Sequence, residues 1–174
     1  MKCRGQFAKD KLISSHLVGQ SQFQKGALML RRIANTSATW ITLPLRLALG
    51  AVFIGHGAQK VLGSFGGVGF KTWIAGQTPF NFMRPAWLWL AAAALSELVG
   101  GALILLGLLT RVGAFLLLCV MVTAVVGNHW GKFFAPAGME YPLTLLAICL
   151  ALLIAGGGQL SVDKGLSVTS GRRR

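Results

Sequence analysis

Four long apolar runs, at residues 40–62, 85–109, 112–130 and 141–155, decide what this chain can fold into. A bilayer core of roughly 30 Å takes about 20 helical residues to cross, and the first three runs reach or approach that length. The fourth is short, and spans only if residues 156–160 continue it or if the bilayer thins locally. Stretches such as 91–95 and 103–109 are apolar on every face rather than alternating, which excludes barrel strands and leaves helices. With 54% hydrophobic and 12% charged residues, the 174-residue chain is too apolar for an ordinary soluble domain. The expected fold is therefore all-α, an integral membrane four-helix bundle.

The formal charge of +13 does not point to nucleic acid, because the basic residues sit in tails and turns and are not interleaved with aromatics on one face. Close to the ends of the runs, Arg31, Arg32 and Arg111 fall on one side of such a bundle, and Lys71, Arg84 and Lys132 on the other. The tails add Lys2, Arg4, Lys9, Lys11, Lys25, Lys164 and residues 172–174 to the first side. The positive-inside rule then predicts that both termini are cytoplasmic. Membrane lipid is the expected partner of the basic tails, at about 1 kcal/mol per charge near an anionic surface.

Along the chain, residues 1–39 read as a basic, loosely ordered cytoplasmic tail, 40–164 as the membrane domain and 165–174 as a second basic tail. A chain begun at Met29 would keep the whole membrane domain. No small-residue cleavage pattern follows the first run, so it reads as a retained span rather than a signal peptide. Residues 63–84 are rich in Gly yet hold Phe65, Phe70, Trp73, Ile74, Phe80 and Phe82, the composition of an interfacial loop with one short helix that caps a pocket. The link between the second and third runs is only Thr110-Arg111, which makes them an antiparallel hairpin.

Ionisable groups inside a bilayer cost at least about 2.5 kcal/mol at its centre, so they are the informative residues. At 100° per residue Arg46, Gly50, Gly57 and Lys60 share one face of the first helix, with His56 beside Lys60, and this small, polar face is expected to point into the bundle. Glu97 is the one acid deep in the second run, and an ion pair with Arg46 is the contact predicted for it, either fixing helix register or handling protons or substrate. A second group, His56, Gln59, Lys60, Asn128, His129, Glu140 and Tyr141, is expected to converge at the outer surface as a proton relay, a quinone-headgroup site or a site for a small sulfur anion. The alternative reading is of interfacial side chains reaching for water. A metal site from His56, His129 and Glu140 lacks ligand spacing, so none is assigned. Cys3, Cys119 and Cys149 form no Cys-x-x-Cys pair, and Cys119 and Cys149 read as small core residues. No nucleotide-binding or haem-attachment motif is present in the sequence.

Arg46-Leu-Ala-Leu-Gly50, Gly55-His-Gly-Ala-Gln-Lys60, the glycine-rich 63–69, Ser96-Glu-Leu-Val-Gly-Gly101, Gly107-Leu-Leu-Thr-Arg111, Asn128-His129, Glu140-Tyr-Pro142 and Ser161-Val-Asp163 together resemble the DoxX family of small bacterial membrane proteins. The resemblance runs in order across roughly 40–164 and implies four membrane helices in the bacterial inner membrane. It also implies an oxidoreductase subunit: one archaeal branch belongs to a thiosulfate:quinone oxidoreductase, and a mycobacterial relative associates with a superoxide dismutase and a sulfurtransferase. The family's polar positions fall on Arg46, His56, Lys60, Glu97, Arg111, His129 and Glu140. The function expected is a membrane subunit or accessory of a thiol/sulfur- or quinone-linked redox system, with His56, Glu97, His129 and Glu140 as the catalytic candidates. Arg46, Gln59, Lys60, Arg111, Asn128 and Tyr141 are the binding or supporting ones. Redox partner proteins and a homo-oligomer are expected partners, a quinone is the one cofactor class suggested, and the alternative function is a non-catalytic scaffold or small-molecule permease.

Overall fold

The computed structural model describes residues 36, 39–134, 136 and 138–171. The tail expected over 1–39 lies outside them apart from residues 36 and 39, as do Cys3, Met29 and residues 172–174. Among the described residues the chain is all-helical, without a strand. Helix α1 is Thr42–Val61, and a 3-10 turn at Ser64–Gly66 leads to the short α2, Gly69–Ile74. Then come α3 (Ala86–Leu106), α4 (Thr110–Asn128), α5 (Glu140–Ala155) and α6 (Val162–Gly171). The residues expected to form a carboxyl tail from 165 onward begin inside α6.

Each apolar run contains one long helix. Both α3 and α4 are long and apolar enough to cross a membrane. Helix α1 has comparable length but carries Arg46, His56 and Lys60. Helix α5 has 16 residues, a rise of about 24 Å. It does not continue through 156–160, because Gly156 takes φ 76° and ends it. Of the two routes by which the fourth run could span, only local thinning of the bilayer is left.

The turn between α3 and α4 is displaced from the expected Thr110-Arg111, which instead open α4. Gly107 ends α3 in the left-handed region, at φ 69°. Leu109 precedes α4 with φ 46° and has no polar side chain with which to cap it. The first N–H groups of α4 are satisfied from elsewhere: Asp163 Oδ1 accepts from the Leu109 N–H at 2.7 Å, and Oδ2 accepts from the Thr110 N–H at 2.9 Å and the Thr110 hydroxyl at 2.8 Å. A carboxylate at the positive end of a helix is stabilised by the orphan donors there.

The same turn receives Arg46, which is 2% exposed. Its Nε donates to the Ile104 carbonyl at 3.0 Å, Nη2 to Leu105 at 3.0 Å, and Nη1 to Gly157 at 2.9 Å. These carbonyls lie at a helix end and in a turn, where Ile104 accepts also from the Gly107 N–H, and a planar guanidinium with five donors can take several at once. Thr42 adds a hydroxyl hydrogen bond to the Gly157 carbonyl at 3.0 Å.

Between these ends, Leu49, Phe53, Ile104, Ala114, Leu117, Met121, Leu145, Cys149 and Leu152 form a core drawn from α1, α3, α4 and α5. Glycines bring α1 and α3 together: a Cβ on Gly57 would lie 2.5 Å from the Leu98 backbone nitrogen, and one on Gly101 would lie 2.9 Å from that of Ile54. The small face expected on α1 is therefore turned onto α3, where a close backbone approach leaves no room for side chains.

Candidate functional site

The core fills the Arg46 half of these helices, whereas the other half is hollow. A cavity of about 610 Å³ lies there, between the later part of α1, the first half of α3, the later half of α4 and the start of α5. Its size is that of sites for small organic ligands. Helix α1 supplies Phe53, His56 and Lys60; α3 supplies Leu90, Ser96 and Glu97. Helix α4 contributes Cys119, Asn128 and the following His129, and α5 contributes Glu140 and Tyr141. The 63–84 segment closes one side with Trp73, Gln77, Thr78 and Met83. It is pinned in place by the Trp73 indole N–H, which donates to the Leu90 carbonyl at 2.8 Å.

The predicted pair of Arg46 with Glu97 is not formed. Glu97, 3% exposed, is ion-paired with Lys60, whose ammonium donates to both carboxylate oxygens. The cause is level along the helices: Arg46 faces Ile104 and Leu105 on α3, seven residues or roughly 10 Å beyond Glu97. Lys60, at the far end of α1, reaches back to the carboxylate instead. The Lys60 ammonium also lies 4.6 Å from the centre of the Trp73 ring, a cation–π contact. An ion pair in an apolar wall is stable only while both partners are present.

The other site candidates divide by place. His56, Lys60, Glu97, Asn128, His129, Glu140 and Tyr141 all line the cavity. His56 is exposed on α1 rather than enclosed by the helices. Gln59 is absent from the walls, and its backbone instead packs against Gly67. Arg46 and Arg111 lie at the opposite end, where Arg111 Nη2 donates to the Ile154 carbonyl at 2.9 Å. Among the described residues no three His, Cys, Asp or Glu side chains gather closely enough to hold a metal ion.

The expectation of two core cysteines holds for Cys149, which is fully buried, and fails for Cys119, which is exposed and lines the cavity. Residue counting gives depth but not azimuth, and Cys119 lies on the outward side of α4. Trp73, expected in a segment that caps a pocket, does line the cavity, whereas sequence reasoning passed over Met83 as a wall residue and Asp163 as the cap of α4. Nothing local marks Asp163, because the N–H groups it caps are more than fifty residues away.

Residues 41–130 match the sequence profile of the DoxX family. The chain is also similar to a Bacillus subtilis (strain 168) protein named "Putative oxidoreductase CatD", with 32% identity over 123 residues, 70% of this chain and 84% of that one. No solved structure matches it.

Proposed function

The chain belongs to the DoxX family of membrane proteins, and from that premise we propose that it is a multi-pass inner-membrane subunit or accessory of a thiol/sulfur- or quinone-linked oxidoreductase system. In this reading α1, α3, α4 and α5 all cross the bilayer, both termini are cytoplasmic, and the cavity is the reaction chamber. The observation that carries it is the gathering of the Lys60–Glu97 pair, His56, His129 and Glu140 on the walls of one otherwise apolar cavity. The oxidoreductase name of the Bacillus relative points the same way.

The chemistry such a site supplies is proton handling. Oxidation of two thiols to a disulfide releases two protons and two electrons, and a quinone that becomes a quinol takes up both. Glu97 is the base nearest the apolar walls: a thiol that gives its proton to Glu97 leaves a thiolate to take the carboxylate's place beside Lys60. His56, His129 and Glu140 provide the groups through which the proton moves on.

Purified protein supplied with a quinone and a series of sulfur donors tests the reading, with Glu97→Gln and His56→Ala beside the native chain. Turnover by the native protein, lost in variants that remain folded, is the expected result. Absence of turnover with every donor, together with unchanged cellular sensitivity to thiol stress in both variants, ends the proposal.

A second reading, a non-catalytic scaffold or permease, is favoured by one feature: Lys60 and Glu97 satisfy each other, so the pair can fasten α1 to α3 without any substrate. Loss of folded Glu97→Gln protein from the membrane would support it.

A further inference from the structure

The cavity reaches the lipid-facing side of the molecule. On α4, Val112, Phe115, Cys119, Val122 and Val126 are exposed at helical spacing, and on α3 Leu88, Ala92, Leu95, Val99 and Leu106 are exposed likewise. In a membrane protein these two apolar stripes meet acyl chains. Cys119 and Ala92 belong to the stripes, yet both also line the cavity. Toward the Arg46 end α3 and α4 are in close contact, since a Cβ on Gly100 would lie 3.1 Å from Leu117 and one on Gly113 would lie 3.0 Å from the Gly100 carbonyl. Further along, the facing residues Ala93, Ser96, Val120 and Thr123 line open space.

We infer that the gap between α3 and α4, with Ala92 and Cys119 as its lips, is a lateral portal through which a neutral, bilayer-dissolved ligand with a hydrogen-bonding head enters the cavity. The ligand class follows from the walls. Trp73, Trp89, Met83 and Met121 present flat or adaptable apolar surface to a ring or chain. The polar end holds Lys60 and Glu97, a pair without net charge, so a free anion would give up its hydration without a net opposite charge to meet it. A neutral carbonyl or hydroxyl loses little hydration and finds donors and an acceptor there. Small side chains at Ala92, Ala93 and Ser96 leave the α3 side of the gap free of bulk.

The inference takes from the proposed function only its choice of cavity, and it is tested separately. The probe is a fully substituted benzoquinone with a decyl tail, neutral and without an unsubstituted ring carbon for a cysteine thiol to add to. Its association with the protein in lipid nanodiscs is followed by quenching of tryptophan fluorescence, since Trp73 and Trp89 line the cavity. Ala92→Phe and Cys119→Phe narrow the lips at exposed positions, where folding is not at stake, and unchanged thermal unfolding verifies this. Gln77→Phe adds the same bulk away from the lips, at an exposed residue of the 63–84 segment that closes the cavity's other side.

Association slower by about tenfold in both lip variants, with Gln77→Phe unaffected, is the expected outcome. Slowing only in Gln77→Phe assigns entry to the aqueous side and overturns the portal. Equal rates in all three variants overturn it as well, and so does an absence of quenching in the native protein. Lip-dependent binding without turnover of any sulfur donor would remove the proposed function and leave the portal standing. Turnover with entry past Gln77 would do the reverse.

Discussion

Arg46 and Glu97 are almost equally buried, at 2% and 3% exposed, and they meet that burial in different ways. Arg46 donates to carbonyl oxygens at the end of α3 and just past the end of α5, so its role is to tie those ends together. Replacing it by Met should lower stability by about 3 kcal/mol, since several buried hydrogen bonds from a charged donor are lost together. Arg46→Lys should fall between, because an ammonium cannot reach α3 and the Gly157 turn in one plane. Thermal unfolding in detergent measures both. Glu97 has a single partner, and removing either member strands the other: Glu97→Leu or Lys60→Met alone should cost about 3 kcal/mol. The double variant should recover most of that loss, in the same assay, while losing any turnover the native chain shows. Full activity in the double variant would show that the pair is architectural.

The helices are fastened by features whose effect depends on which face they occupy. Gly57 and Gly55 are two residues apart on α1, yet a Cβ on Gly57 would meet the Leu98 backbone at 2.5 Å, whereas one on Gly55 meets nothing within 4 Å. Gly57→Ala should destabilise by about 2 kcal/mol through overpacking. Gly55→Ala should instead stabilise by up to about 1 kcal/mol, since alanine favours a helix and finds open space there. Equal effects of the two substitutions on thermal unfolding would contradict the α1–α3 packing. At this scale the sequence was legible in outline: Gly50, Gly57 and Lys60 mark one side of α1, and that side does face α3. The end of α3 was less so. The apolar run continues through Leu109, while the helix stops at Gly107 because that residue takes a left-handed φ and the N–H groups after it are held by Asp163.

At the scale of the molecule, one half is solid and the other hollow. The core and the Arg46 and Asp163 contacts fix the solid half, which allows the helices to diverge around the cavity without the bundle losing its register. The proposed orientation puts the cavity toward the outer face of the membrane, and labelling tests it. Single cysteines at exposed Asn81 or Lys132, in a chain otherwise free of reactive cysteine, should react with a membrane-impermeant maleimide in spheroplasts. One at exposed Gly165 should react only after the membrane is opened. The opposite pattern would invert the topology.

The all-helical class, the positions of the four long helices, the family and most of the ionisable residues along the cavity were readable from the residues alone. These depend on local composition and on axial rise, both of which can be counted along a chain. It took the packed helices to show that Glu97 answers Lys60 rather than Arg46, that Cys119 looks outward while Cys149 is enclosed, and that Asp163 caps a helix from a distance. Each of those depends on the rotation and relative level of separate helices, and these are settled by glycine contacts and turn geometry between segments that share no sequence signal.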